Sequence, residues 1–433
     1  MEQRAAFLRR YQAALQQHAE TLAETIAWEV GKPLWEAKTE VAAMSSKVEL
    51  VLGPGAAYSA DTRVDELPGE IRYRPLGVVA VVGPFNFPGH LPNGHILPAL
   101  LCGNCVVMKP SDKAPLTAQL IAHCFSQAGL PAGVFNVVQG ASESGAHLTC
   151  HPEVDGVLFT GSARAGRAVV QQSLDRLDRL VALELGGKNA AVALSDCDIE
   201  QTARQVAFSA FVTAGQRCTA TSRLVVCKPI AEALTTRIVE LTRRLVVGHP
   251  CKDAPFMGPV IDDTSAQRHK QATDQAVAAG FVPLLPQQRV EPAPAEGAYV
   301  RPSIHRWDGI GPRDVPGYSD EELFAPDLAI YVVEDEEAAL EQVNRSRYGL
   351  SASVFCSTRS QFERAAATLR VGVLHWNRAG AGASGRLPFS GIKGSGNHRP
   401  AGILTALTCA YPQAILLEQT PAVAGTWPGF PSS

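Results

Sequence analysis

The chain has 433 residues, of which 46% are hydrophobic and 19% are charged, so it is a globular chain long enough to bury the cores of two or three domains. Its formal net charge is −3 and no long basic run occurs, which argues against binding nucleic acid or an anionic membrane through bulk charge. No apolar run reaches the roughly 18 residues that a membrane-spanning helix needs.

The first segment of the chain is predicted to be an amphipathic helix. Its apolar residues recur at helical spacing and are Phe7, Leu8, Tyr11, Leu15, Leu22, Ile26 and Val30. The pattern ends at Gly31-Lys32-Pro33, residue types that stop a helix. Met1–Arg10 lacks the apolar core followed by small residues that marks a secretory signal, so none is expected there.

Ten cysteines are scattered along the chain, mostly among apolar residues. In a chain of this length that pattern favours reduced thiols in a cytoplasmic protein over a disulfide framework. Cys102 and Cys105 form a CxxC spacing, which is compatible with a redox pair or with two small buried residues around a Gly-Asn turn. No second pair completes a zinc site, so no metal is expected.

Short apolar runs alternate with helix-like segments from residue 77 onward. The runs are Gly77–Val82, Cys105–Met108, Val134–Val138, Val157–Phe159 and Leu180–Leu183, followed by Ser222–Val226, Ala329–Val333, Ala352–Phe355 and Gly372–His375. Strands that alternate with helices predict parallel sheets covered on both faces, so we predict an α/β protein built from two α/β units. The stretch Pro283–Pro294 is predicted to be a surface excursion.

Polar residues after these strands are candidate ligand contacts, because open α/β sheets bind ligands beyond the carboxyl ends of their strands. Gly161-Ser162-Ala-Arg-Ala-Gly166 follows a strand and opens a helix, as at a pyrophosphate site, although a plain tight turn explains it as well. Lys109 and Asp112 follow another strand. They suit an adenosine ribose, with Asp112 repelling a 2′-phosphate and so favouring NAD, or they are two solvated loop charges.

Three further side chains are candidates for catalysis. Cys218, predicted to lie in a helix-like stretch, is either a nucleophile or a buried structural thiol. Glu184 ends an apolar run and is either a general base with a raised pKa or a surface carboxylate. Asn86 stands between Phe85 and Phe87, which suits an amide held rigidly for an oxyanion or a simple turn. Glu322 alone indicates almost nothing.

The identity and order of these motifs resemble the aldehyde dehydrogenase superfamily over essentially the whole chain. The motifs are Gly83–Pro88, Lys109–Ser111, Phe159–Ser162, Glu184–Lys188, Gly215–Cys218, Glu322–Phe324 and Pro388–Gly396. Phe87–His95 and Gly396–Pro400 are also similar to the succinylglutamate semialdehyde dehydrogenases of arginine catabolism. The tail, Cys409–Pro412 followed by Leu416–Glu418, resembles the same subfamily.

The resemblance implies an NAD-dependent oxidation of a small aldehyde without a metal. It makes Cys218 the nucleophile that forms a thiohemiacetal and then a thioester, Glu184 the base that activates water, and Asn86 an oxyanion donor. The residues it implies for the cofactor are Lys109, Asp112, Phe159, Gly161, Ser162, Gly166, Glu322 and Phe324. Arg217, Arg378, His90 and His375 are candidates for the substrate's carboxylates by position only.

The resemblance also implies three parts. These are a Rossmann-like NAD-binding domain at 1–55 and 76–185, a catalytic α/β domain at 186–400, and a small β oligomerisation arm at 56–75 and 401–418 that predicts a homo-oligomer. The family normally has a further segment before the first helix seen here. Ala325 and Ser390 stand where the family commonly has glycine, and residues 375–382 differ from the sequence that is usual in the subfamily. An enzyme for another semialdehyde and an inactive relative are the alternatives.

Overall fold

The computed structural model describes residues 1–66, 68–252, 254–309, 314–418, 427–429 and 431. Its helices are α1 (Glu2–Gln17), α2 (Ala19–Val30), α3 (Leu34–Leu50), α4 (His90–Cys102), α5 (Pro115–Gln127), α6 (Ser142–Cys150), α7 (Ala163–Gln172), α8 (Ile199–Phe211), α9 (Lys228–Arg243), α10 (Asp263–Ala278), α11 (Glu336–Asn344), α12 (Arg359–Thr368) and α13 (Thr405–Thr408). None of these helices is long and apolar enough to cross a membrane.

The strands begin with β1 (Thr62–Val64), β2 (Gly69–Pro75), β3 (Val78–Val82), β4 (Cys105–Lys109), β5 (Phe135–Val137), β6 (Gly156–Gly161), β7 (Leu180–Leu185), β8 (Asn189–Ala193), β9 (Thr221–Cys227) and β10 (Val282–Leu285). They continue with β11 (Ser303–Trp307), β12 (Asp327–Val333), β13 (Tyr348–Gly349), β14 (Ser351–Phe355), β15 (Val373–Trp376), β16 (Pro388–Phe389), β17 (Ile392–Lys393), β18 (Ala401–Gly402) and β19 (Ala410–Leu416).

The first sheet has the order β5-β4-β3-β6-β7, and all its strands are parallel. Helices α1 to α5 pack on one side in a large apolar cluster, and α7 belongs to a second cluster with the other face of β3, β6 and β7. The predicted parallel α/β unit is therefore confirmed. Because the chain order reverses between β3 and β6, a crevice opens at the carboxyl ends of these two strands.

The second sheet has seven strands in the order β10-β11-β12-β9-β8-β14-β15, with only β10 antiparallel to its neighbour. The apolar runs did not predict β8, β10 or β11. The surface excursion predicted at Pro283–Pro294 is wrong at its start, because β10 pairs with β11 there. Three alanines in β8 and the polar Ser303, His305 and Arg306 in β11 kept these strands from forming apolar runs.

The helical N-terminus departs from the prediction by one break and ends where the sequence predicts. The predicted helix is divided into α1 and α2, and α2 ends at Gly31 with φ +75°, a left-handed conformation that suits glycine. After this turn α3 runs back across the molecule and packs on α4. Residues of α3 thereby reach the loop that follows β3.

A third, antiparallel sheet of β1, β2 and β19 is here called the arm sheet. Its strands lie within the segments 56–75 and 401–418. β19 forms an edge of this sheet, and Tyr411 and Leu416 on it are 51% and 76% exposed. An edge strand with unpaired backbone groups is a ready partner for another strand.

Candidate active site

Cys218 lies in an irregular segment between a short 3-10 turn, Val212–Gly215, and β9. The predicted helix-like setting is wrong, because α8 ends at Phe211 and the next residues leave helical geometry. Thr213, Ala214 and Gly215 have φ values of 57°, 52° and 69°. A Cβ at position 215 would also collide with the carbonyl oxygen of Ala325, so glycine is required at this close approach.

Asn189, at the start of β8, anchors this segment by hydrogen bonds to its backbone. Its buried amide Nδ2 donates to the carbonyl oxygens of Cys218 at 2.7 Å and of Ala220 at 3.0 Å. Its Oδ1 accepts from the backbone N–H of Ser351 at 3.0 Å. Sequence reasoning missed Asn189, and the one available signal was a polar residue opening a run of small residues.

Asn86 follows β3 and contacts the same segment from the other side. Its side chain is 4% exposed, and Nδ2 donates to the carbonyl oxygen of Gln216 at 2.8 Å. Gln216 is itself fixed, because its Oε1 accepts from the N–H of Ile261 at 2.9 Å. The Asn86 amide therefore stands beside the Cys218 segment, where the amide's other N–H suits an oxyanion.

Glu184 and Cys218 line one cavity of about 250 Å³, here called the tunnel. Glu184 is near the end of β7, and its Oε1 is buried without a hydrogen-bond partner among the described residues. Burial raises its pKa to about 8, although an N–H from Ala401 opposes the shift. A carboxylate with that pKa can take a proton from water near neutral pH.

The surroundings of Cys218 favour its protonated thiol over the thiolate. Burial raises its pKa to about 12, and the charges of Glu322 and Glu184 raise it further, while Arg217 and an N–H from Thr219 oppose the shift. The thiolate is thus disfavoured until the local charge balance changes.

Lys109, Ser162 and Gly161 lie at the carboxyl edge of the first sheet, beside the crevice. Lys109 ends β4 and is 6% exposed, and burial lowers its pKa while the nearby exposed Asp112 opposes the shift. Ser162 caps α7, with its Oγ accepting from the N–H of Ala165 at 3.3 Å. A cation and a helix N-terminus at one edge suit an anionic dinucleotide.

Phe159 and Gly166, also predicted as cofactor contacts, are buried at this edge. Phe159 belongs to the apolar cluster around β6, and its ring lies against Gly161. A Cβ at Gly166 would come within 2.6 Å of the side chain of Leu185, so this glycine lets α7 pack closely on β7. Both residues therefore pack within the first sheet and its helices, and their contact with a cofactor stays a prediction.

Glu322 and Phe324 approach from the loop before β12. Glu322 Oε1 accepts from the N–H of Gly187 at 3.1 Å, and burial raises its pKa to about 7. Phe324 has φ +54° and packs edge-on against Phe85, with ring centroids 5.7 Å apart. The charge of Glu322 also raises the pKa of the Cys218 thiol.

Among the described residues, no group of three or more His, Cys, Asp or Glu side chains could hold a metal ion. All ten cysteines are free, including Cys102 and Cys105. Cys102 ends α4 and Cys105 opens β4, with Asn104 between them bonded to the carbonyl oxygens of Ala99 and Cys409. This geometry matches two small residues around a turn.

The sequence profile of the aldehyde dehydrogenase family matches residues 1–412. This chain belongs to the aldehyde dehydrogenase family. It is 41% identical over 415 residues to the N-succinylglutamate 5-semialdehyde dehydrogenase of Novosphingobium aromaticivorans, covering 95% of this chain and 86% of that protein. It is 40% identical over 425 residues to the protein of the same name from Ectopseudomonas mendocina, covering 96% and 85% respectively.

Solved structures resemble the fold of this aldehyde dehydrogenase closely. The NAD-dependent aldehyde dehydrogenase of Sinorhizobium meliloti superposes with a TM-score of 0.91 at 28% identity, covering 98% of this chain and 84% of that one. The NADP-dependent glyceraldehyde-3-phosphate dehydrogenase of Bacillus halodurans, complexed with NADP, gives 0.89 at 30% identity, covering 97% and 87%. The predicted fold class and enzyme class are therefore confirmed.

Proposed function

We propose that this aldehyde dehydrogenase oxidises N-succinylglutamate 5-semialdehyde to N-succinylglutamate with NAD, as a step of arginine catabolism. The relatives of that name, similar over nearly the whole chain, support the substrate. The observation that carries the chemistry is the meeting of Cys218 and Glu184 in one tunnel, with the Asn86 amide beside the Cys218 segment.

The edge of the first sheet fits a dinucleotide. The Lys109 side chain is largely buried, but its ammonium forms no ion pair with any described residue and is available to bind ribose hydroxyls. Gly161 and Ser162 would lie at the pyrophosphate, Asp112 at the adenosine ribose and Glu322 at the nicotinamide ribose. When bound, the nicotinamide supplies the acceptor for the hydride that leaves the substrate carbon.

The chain's own residues hold the carbonyl carbon through the reaction. Cys218 Sγ, having lost its proton to solvent, bonds to the aldehyde carbon and gives a thiohemiacetal. The Asn86 amide and the Cys218 backbone N–H stabilise the oxyanion, and one such donor typically contributes about 2.7–4 kcal/mol. After oxidation the carbon is held as a thioester. Glu184 then takes a proton from water, which attacks the thioester and releases the acid and the thiol.

A panel of semialdehydes tests the substrate. We expect kcat/KM with NAD to be highest for N-succinylglutamate 5-semialdehyde, because the relatives of that name are similar over nearly the whole chain. Succinate semialdehyde and glutarate semialdehyde are the comparison substrates. A higher kcat/KM for either would assign the enzyme to another semialdehyde, and no turnover of any aldehyde by the native chain would favour the inactive relative.

The arm sheet supports a proposed division into parts and a homo-oligomer. We assign 1–55 and 76–185 to the NAD-binding domain, 186–400 to the catalytic domain, and 56–75 with 401–418 to the arm. The exposed edge of β19 is the expected subunit contact. Light scattering on the purified chain should give a mass above one subunit, and a monomer would refute this role for the arm. The free cysteines agree with a cytoplasmic location.

A further inference from the structure

We infer that Lys47, on α3, is the anion-binding residue of the tunnel and that it selects aldehydes carrying a carboxylate. The inference rests on the proposed function and identifies the residue that reads the substrate's charge. Sequence reasoning did not single out Lys47, because it lies in an ordinary run of mixed polar and apolar residues far from every strand end.

The positional candidates do not supply a free cation in the tunnel. Arg217 lines it, but its Nη2 is 2.8 Å from Glu36 Oε1, and its Nε donates to Thr213 Oγ1 at 2.7 Å. His375 and Arg378 are not among the residues that line the tunnel. His90 does line it, yet burial and nearby cations lower its pKa to about 3, so its imidazole is neutral.

A second cation near the tunnel, Lys32, is also engaged in an ion pair. Lys32 Nζ is 2.6 Å from Glu40 Oε2, and both side chains are fully buried. The other oxygen of Glu40 accepts from the backbone N–H groups of Gly89 and His90. Lys32 also lies over the ring of Phe87 at 3.7 Å. Arg217 is paired with Glu36, and Lys32 is paired with Glu40. Neither pair leaves net positive charge for a substrate.

Lys47 differs from these cations because, among the described residues that line the tunnel, it is the cation without a carboxylate partner. No described carboxylate lies within ion-pair distance of its ammonium, and no described acceptor binds it. It is partly buried where the tunnel meets a wider cavity that opens towards solvent, and so lies on a path of entry. Burial lowers its pKa, a cost that a bound anion would relieve.

Two observations show that this ammonium acts on the tunnel. Its charge contributes to the lowered pKa of both His90 and His95, and both imidazoles line the tunnel wall. The opposite wall leaves room for the ammonium, since a Cβ on Gly385 would lie only 3.0 Å from Lys47 Nζ. An aldehyde that reaches Cys218 from this side passes the ammonium, and a carboxylate on its chain can pair with it.

A matched pair of aldehydes tests the inference. Glutarate semialdehyde and pentanal have the same chain length and differ in whether the far end is a carboxylate or a methyl group. The native enzyme should prefer glutarate semialdehyde in kcat/KM. In Lys47→Met that preference should fall by about 10–100-fold, the range expected when one hydrogen bond to a charged group is lost. Lys47→Arg should keep most of the preference, because the charge remains.

Lys38→Met is the control for bulk charge. Lys38 is on the same helix and lines the wider outer cavity, but its ammonium pairs with Glu20 at 2.9 Å and it does not line the tunnel. We expect Lys38→Met to prefer glutarate semialdehyde over pentanal as strongly as the native enzyme does. An unchanged preference in Lys47→Met, or an equal loss in Lys38→Met, would overturn the inference. Pentanal turnover by each variant shows that it is folded.

The same assays separate this inference from the proposed substrate. If the native enzyme fails on N-succinylglutamate 5-semialdehyde while Lys47→Met loses the preference for glutarate semialdehyde, the proposed substrate is refuted and the role of Lys47 stands. If the native enzyme turns over N-succinylglutamate 5-semialdehyde and Lys47→Met does so equally well, the role of Lys47 is refuted and the substrate stands.

Discussion

Replacing Asn189 by alanine tests how the segment that carries the nucleophile is held. The substitution removes three hydrogen bonds and leaves the carbonyls of Cys218 and Ala220 and the N–H of Ser351 without this partner. An unpaired buried polar group costs about 1–3 kcal/mol. Because Cys218 is partly exposed, we take the lower end of this range, about 1 kcal/mol for each of the three groups. We therefore expect the free energy of unfolding to fall by about 3 kcal/mol in total.

The catalytic effect should exceed the loss of stability. The Cys218 carbonyl is no longer anchored in Asn189→Ala, so the thiol and the backbone N–H that meets the oxyanion shift together. A displacement of about 1 Å at a reacting group costs roughly 100-fold in rate. Steady-state NADH formation at saturating NAD gives kcat, and unfolding in urea gives the stability. Because the dinucleotide contacts lie elsewhere, the affinity for NAD should change little.

Asn344→Ala is the matched control. Asn344 also ties two backbone groups, donating to the carbonyl oxygen of Thr368 at 2.9 Å and accepting from the N–H of Arg370 at 2.8 Å, but it does not line the tunnel. It should lower stability and leave kcat unchanged. If Asn189→Ala also keeps a native kcat, Asn189 does not position Cys218. If its stability is unchanged, the hydrogen-bond accounting above is wrong.

Three further substitutions test the proposed chemistry. Cys218→Ala should abolish NADH formation while calorimetry still detects NAD binding, and residual turnover would exclude Cys218 as the nucleophile. Glu184→Gln should slow thioester hydrolysis, which in the native enzyme should quicken as pH rises through about 8 and the carboxyl ionises. Rapid-quench measurement of the acyl-enzyme gives the rate of thioester hydrolysis, and a native rate in Glu184→Gln would contradict the role of Glu184 as the base. Asp112→Ala should raise the NADP-to-NAD ratio of kcat/KM about five-fold, the worth of roughly 1 kcal/mol of like-charge repulsion; an unchanged ratio would remove Asp112 from cofactor selection.

The strands that were predicted correctly are those whose buried character is visible in their own residues. β3 consists of four valines and an alanine, and a run of that kind fits a strand covered on both faces. β8, with three alanines, is buried because β9 and β14 flank it, which no local pattern shows. In β11, His305 and Ser303 are buried because Asp327 on the adjacent strand bonds to both side chains.

The residues of the candidate site likewise fall into those that local sequence predicts and those that only the fold reveals. Glu184 and Cys218 are recognisable because their motifs are local, whereas Asn189 and Lys47 gain their proposed roles only from what the fold brings near them. The helix predicted around Cys218 is wrong for a related reason. Ala214, Gln216 and Arg217 are good helix formers, but Thr213, Ala214 and Gly215 adopt left-handed conformations, and Gly215 approaches the Ala325 carbonyl closely. Tertiary contacts outweigh local preference there.

The electrostatics of the tunnel place opposite demands on Glu184. Hydrolysis needs its ionised form, yet that charge raises the pKa of Cys218 and so opposes the thiolate that begins the reaction. With a pKa of about 8, Glu184 is mostly neutral near pH 7, where it does not repel a forming thiolate. Acylation should therefore gain from the neutral form and deacylation from the ionised one. Glu184→Gln fixes the neutral form, so it should keep the first burst of NADH while losing steady-state turnover, which a merely structural role for Glu184 would not produce.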